Sequence, residues 1–273
     1  MQFVKKWKLF ILPIFAVSFL AASALLGCAG GASNTITEAG STTVQPLAEK
    51  LASAFKAKNP DVNIVIQGGG SGVGIKSVND GTVDIGASSR ELTASDPPLV
   101  KHLLARDGIA IIVPPSNPVR GLIIEQVRGI FAGNITNWSQ VGGPDKGIDV
   151  VAREEGSGTR TAFEEMVMGK NALIKADAIL QPSNGAVKTA VSSDPQAIGF
   201  ISFGYIDSSV KALAINSVAA TEPNAKNGSY PIVRPLYFLT KTQPTGLVKD
   251  FIDFCLGSEG QSIVAKEGYI PSM

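Results

Sequence analysis

The chain has 273 residues, of which 44% are hydrophobic and 17% charged, with 24 Lys+Arg against 23 Asp+Glu. That is ordinary for a soluble globular protein and enough for one large domain or two small ones. The near-neutral balance argues against nucleic-acid binding, so any selectivity for anions has to be local.

The first residues differ from the rest. Lys5, Lys6 and Lys8 make a basic start, Leu9 to Leu26 carries no charge, and Leu25-Leu26-Gly27-Cys28 follows. This order predicts a secretory signal over 1–27 with a lipid-attachment cysteine at Cys28, and a short tether over 28–34. A membrane span is the competing reading. The apolar run approaches the roughly 20 residues a span needs, but Pro13 breaks it and no basic stop follows. Removing the signal lowers Lys+Arg from 24 to 21 against 23 Asp+Glu, so the formal net charge moves from +1 to −2. Besides Cys28 there is only Cys255, so no internal disulfide can form, and Cys255 reads as a buried core thiol. No Cys/His cluster suggests a metal. His102 has no motif around it and reads as a surface or capping residue.

Thr35 to Ala39 is expected to be a first strand. Gly40 to Pro46 is a hydroxyl-rich turn into a helix that carries Leu47, Leu51 and Phe55 on one face. Val62 to Ile66 alternates as a strand, Gln67 to Gly74 is a glycine turn, and Ile75 to Asn79 begins a helix. Val83 to Arg90 is a strand running into a small-residue loop. This strand–helix–strand order argues for a parallel sheet. Pro97-Pro98 is expected to open a helix reaching Ala105, and Gly108 to Val113 a strand. Glu125 to Phe131 reads as helix. Ile148 to Ala152 reads as a strand, and Arg153 to Arg160 as a turn before a helix over Thr161 to Met168. Ala197 to Phe203 and Ile232 to Thr240 read as strands. Leu247 to Leu256 and Gln261 to Lys266 read as closing helices.

Three turns carry chemistry. Gly69 to Ser77 approaches a nucleotide P-loop, but Ile75 stands where the lysine belongs. The dinucleotide spacing fails at Val73. Ser157 lies between Gly156 and Gly158, but Glu155 and Thr159 occupy the positions where a nucleophile elbow has glycines. What the turns share is Ser/Thr hydroxyls and free backbone N–H groups at helix starts, with Arg153 at the mouth of one. Any such turn alone reads as a helix cap; three together point to an oxyanion site.

Gly40 to Pro46, Gln67 to Gly74, Asp84 to Ser89 and Arg153 to Thr159 resemble, in that order, the phosphate-binding lipoproteins of the Pst-type ABC transporter. Ile130 to Trp138 and Ile198 to Tyr205 are similar to that family too, so the likeness covers nearly all of the chain after Cys28. The resemblance implies an α/β, two-lobed periplasmic-binding-protein fold of type II, with mixed sheets flanked by helices and two hinge strands. Residues 35–115 and 231–273 would form one lobe and 116–230 the other, with Gly108 to Val113 and Ile232 to Thr240 as crossings. It implies phosphate ligands at Thr42, Thr43, Ser71, Asp84, Arg153, Ser157, Gly158 and Thr159, with Glu155 holding the arginine. It also implies a monomer, lipid-anchored outside a bacterial cytoplasm, that delivers inorganic phosphate to an ABC permease with its cytoplasmic ATPase. No catalysis, cofactor or metal is expected.

Chemically, Arg153 can give a planar fork to two oxygens, and the hydroxyls add donors without charge. Asp84 is expected to set selectivity. A carboxylate facing an anion repels it unless the anion carries a proton, which phosphate does at neutral pH and sulfate does not. Sites that leave a buried group unpaired discriminate by about 10⁴ or more. The alternatives are a receptor or sensor for another tetrahedral oxyanion and, from another class, a secreted phosphatase.

Overall fold

The computed structural model describes residues 34–169 and 172–272. The signal segment and Cys28 lie outside these residues. In chain order the elements are β1 Thr35–Gly40, α1 Gln45–Lys58, β2 Asn63–Gln67, α2 Ser71–Asp80, β3 Ile85–Ser88, β4 Val100–Val113, β5 Gly121–Leu122, α3 Ile124–Phe131 and β6 Asp149–Arg153. They continue with α4 Gly158–Phe163, β7 Ile179–Gln181, α5 Asn184–Ser193, β8 Ala197–Ser202, β9 Lys211–Ala212, β10 Ala214–Ile215, α6 Glu222–Lys226, β11 Val233–Thr240, α7 Gly246–Leu256, α8 Ser258–Lys266 and β12 Ile270–Pro271.

Local chemistry accounts for several of these elements. Helix α1 buries Leu47, Leu51 and Phe55 at four-residue spacing and carries a proline in its first turn, where no intrahelical N–H is required. Helix α2 stops at Gly81, whose φ of 73° is left-handed. Past Phe163 the α4 segment widens into one π-helical turn, Glu164–Met168.

The strands run β2-β1-β3-β11-β4-β8-β6-β7, with β9 and β12 also on β4. Strands β1, β2 and β3 are parallel, as are β6, β7 and β8. Strands β11 and β4 run antiparallel to their neighbours between these two groups. Two main cores result. One joins Ile36, Leu47, Leu51, Leu104, Ala105, Leu236, Phe238 and Phe251; the other joins Ile109, Ile111, Phe131, Phe163, Phe200 and Ile232. Strand β4 therefore passes from one core to the other between Ala105 and Ile109. Gly108 sits at that crossing, where a Cβ would lie 2.3 Å from the Phe203 ring.

One expectation is corrected here. The helix expected from Pro97-Pro98 to Ala105 is strand: Val100 to Ala105 pair antiparallel with Leu236 to Thr240. Local pattern is ambiguous in this stretch, and pairing along β11 decides it. His102 lies on that strand, half-buried, with Nε2 2.9 Å from the Thr240 hydroxyl.

Candidate functional site

Parallel strands end together, so the C-terminal ends of β1 and β3 deliver two turns to one place. At Gly40 the backbone lies so close to β3 that a Cβ would stand 2.3 Å from the Ala87 carbonyl oxygen. The Ser41 hydroxyl accepts from the Thr43 N–H at 3.2 Å. Ahead of α2, Gly69 and Gly70 adopt φ of 140° and 94°, a region L side chains avoid. That turn sets Ser71 at the helix start, where its hydroxyl accepts from the Ser89 N–H at 3.0 Å.

The β6-β7-β8 side of the sheet supplies α4 and α5. Ser157 caps α4 by accepting from the Arg160 N–H, and Ser183 caps α5 by accepting from the Ala186 N–H. These helix starts meet the first set directly. The Thr159 and Thr43 hydroxyls are 3.1 Å apart, and the Gly72 N–H donates to the Gly156 carbonyl at 2.9 Å. A Cβ on Gly158 would stand 2.1 Å from the Ser71 Oγ and 2.8 Å from the Ser89 Oγ, so only glycine fits. The Asn184 amide donates to the Thr42 and Thr43 hydroxyls at 3.1 and 3.0 Å. The Tyr205 hydroxyl donates to the Thr42 carbonyl at 2.6 Å, and the Tyr269 hydroxyl to the Thr43 carbonyl at 3.1 Å.

Charge converges on the same place. Arg153, 2% exposed, gives Nε to the Gln181 carbonyl and Nη2 to the Pro182 carbonyl at 3.1 and 2.8 Å. Burial, and then the nearby Arg234, push its guanidinium down to about 10. Arg234, also 2% exposed, gives Nη2 to the Thr43 hydroxyl at 2.9 Å and Nη1 to the Ser89 carbonyl at 3.3 Å. Its partner is buried Asp107, whose Oδ2 accepts from Arg234 Nε and Nη2 at 3.3 and 2.9 Å. Two buried guanidinium groups thus lie near each other, of which Arg234 is paired with a buried carboxylate and Arg153 is held by backbone carbonyls, and the surplus charge amid hydroxyls and helix N-termini suits an anion.

A PBP superfamily domain signature spans residues 29–259. The chain is 35% identical over 288 residues to the phosphate-binding protein PstS of Bacillus subtilis, covering 98% of this chain and 95% of that one. It is 30% identical over 271 residues to PstS of Borreliella burgdorferi, covering 94% and 97%. A Clostridium perfringens chain described as a phosphate ABC transporter substrate-binding protein, solved with bound phosphate, superposes with a TM-score of 0.85 at 42% identity. That match covers 88% of this chain and all of the other. The chain belongs to the PstS phosphate-binding family. It is a binding protein rather than an enzyme, and its fold is the α/β periplasmic-binding-protein fold with mixed sheets.

Of the residues expected from the family pattern, Thr42, Thr43, Ser71, Arg153, Ser157, Gly158 and Thr159 lie buried where the turns meet. Asp84 does not. It is exposed, and its Oδ2 accepts from the Thr37 N–H and hydroxyl, both at 2.8 Å. The reason is strand direction. Asp84 precedes β3, whereas the site lies beyond Ser88 at the other end, on the order of 13 Å away at the usual strand rise. Glu155 is exposed as well, and two backbone carbonyls hold Arg153 instead.

Sequence reading also missed Ser89, Asn184, Tyr205 and the Asp107–Arg234 pair, and it counted one arginine where two stand. Arg234 had a signal, a charge within the Ile232 to Thr240 run that reads as a strand, and such a charge is buried only when paired; Asp107, between the expected helix and the Gly108 strand, had none. Asn184 had one too, because Pro182-Ser183-Asn184 is a helix start. Tyr205 had none.

Proposed function

We propose that this chain binds inorganic phosphate between two lobes, 35–115 with 231–273 and 116–230, and hands it to an ABC permease for import. The observation that carries the reading is the surplus of buried positive charge at Arg153 and Arg234, ringed by the Thr42, Thr43, Ser71, Ser89, Ser157 and Thr159 hydroxyls. The relatives' names give the ligand class, and phosphate is the anion bound in the Clostridium perfringens structure.

In this reading the donors divide between the lobes. Thr42, Thr43, Ser71 and Arg234 come from one, and Arg153, Ser157, Gly158 and Thr159 from the other. The anion completes its contacts only when both are present, and that difference in binding free energy favours the closed form. The helix starts supply N–H groups and hydroxyls, and the arginines supply charge-assisted donors. Cys28 carries the lipid that tethers the receptor outside the cytoplasm, and the protein works as a monomer.

Isothermal titration of the purified full chain with sodium phosphate tests the reading. One phosphate per chain is expected. No heat of binding and no rise in melting temperature with phosphate would overturn it.

A further inference from the structure

The family reading leaves selectivity to a carboxylate facing the anion, and the carboxylates of this chain are placed elsewhere. Asp84 is held by Thr37 at the far end of β3. Asp107 stands behind the site with its acceptor positions filled. Its Oδ2 takes Arg234 Nε and Nη2, its Oδ1 takes the Ser202 hydroxyl at 3.0 Å, and the Phe203 N–H also donates to it. A carboxylate has about four such positions, so none remains for a proton on the ligand. Glu154 and Glu155 lie exposed on the turn after Arg153. Glu49 is exposed and bonded to Gln45. Glu38 is buried, but it lies on the Ile36 face of β1 beneath α1, and burial keeps it neutral near pH 7.

Ser89, a hydroxyl, stands among the buried donors where the turns meet. It is 1% exposed, and its Oγ lies 3.4 Å from both the Ser71 Oγ and Arg234 Nη1, under the α4 start at Gly158. A hydroxyl in that position behaves differently from a carboxylate. It accepts a proton from monohydrogen phosphate, or rotates and donates its own to an oxygen that carries none.

We infer that this site recognises tetrahedral oxyanions by charge and hydroxyl groups without a carboxylate filter, and therefore binds fully ionised sulfate as well as phosphate. The inference rests on the phosphate reading above and narrows it. A site that strands a buried acceptor against the wrong ligand rejects it by about 10⁴ or more, whereas a rotatable hydroxyl strands nothing.

Titration of the full chain at neutral pH with sodium phosphate and sodium sulfate, against sodium chloride, decides it. Sulfate is expected to bind within about 10³-fold of phosphate, short of the 10⁴ of a stranded acceptor. Phosphate binding with sulfate weaker than that overturns this inference and leaves the phosphate reading intact. Failure of both anions to bind overturns both. Ser89→Asp in a folded variant is expected to raise the preference for phosphate over sulfate at least tenfold. An unchanged ratio overturns the role given to Ser89.

Discussion

Arg234 stands directly opposite Asp107 in the antiparallel ladder between β11 and β4, and their ion pair closes at 2.9 Å with both side chains buried. The pair lies where β4 leaves one core for the other, and the same guanidinium reaches the Thr43 hydroxyl and the Ser89 carbonyl. One residue therefore ties the crossing strands to both turns of the site. Removing one partner of a buried pair leaves an uncompensated charge, which costs about 3–5 kcal/mol. Arg234→Met is expected to lower stability by about that much in urea unfolding. Arg234→Met combined with Asp107→Asn should cost less than the sum of the single changes.

Arg153 is held by backbone carbonyls rather than by a carboxylate, so its charge is available to a ligand. Arg153→Ala is expected to weaken phosphate binding by at least about 2 kcal/mol, roughly thirtyfold, in calorimetry. A change of a few tenths would mean that the guanidinium does not meet the anion.

Gly158 packs tightly between the turns, with no room for a Cβ beside Ser71 and Ser89. Gly158→Ala places a methyl group in that contact while leaving a residue suited to a helix start. Phosphate affinity is expected to fall at least about tenfold, because the added methyl group pushes the Ser157-Gly158-Thr159 turn away from Ser71 and Ser89.

Glu38 is buried on β1, its Oε2 has no hydrogen-bond partner, and burial, followed by the charge of Glu49, pushes its carboxyl up to about 8. The folded protein thus holds this proton more tightly than the unfolded chain, whose carboxyl has the ordinary value of 4.5. Its contribution to stability is fully present below that ordinary value and is lost as pH rises through about 8. Urea midpoints are expected to fall between pH 5 and pH 8, and Glu38→Gln should flatten that slope. An identical slope in the variant would assign the pH dependence to other groups.

Cys28→Ala is expected to abolish acylation and to release the protein from membranes to the soluble fraction, with phosphate affinity unchanged. Retention of the variant on membranes would show that the apolar leader, not a lipid, holds the chain.

Much of this architecture was readable along the chain. Local pattern set several elements within a residue or two, as with Leu47, Leu51 and Phe55 on α1 or the alternation around Ile64, because periodicity and turn residues act over a few positions, whereas α5 was not read at all. The turns at Gly69-Gly70-Ser71 and Ser157-Gly158-Thr159 were legible for the same reason. Helix starts announce their N–H groups in glycines and hydroxyls.

What local pattern could not decide was which end of a strand faces the site and which distant charge completes it. Asp84 and Ser89 are five positions apart in sequence, yet β3 runs between them, so one is exposed beside Thr37 and the other buried against Ser71 and Arg234. Val100 to Ala105 became strand because β11 lay alongside, and Arg234 joined the site because the ladder's register set it opposite Asp107. By itself, the sequence determined an anion site built on helix starts. The tertiary structure alone decided that Ser89 is buried against Ser71 and Arg234 while Asp84 is exposed at the far end of β3, because strand direction and register are settled by partners far away in the chain.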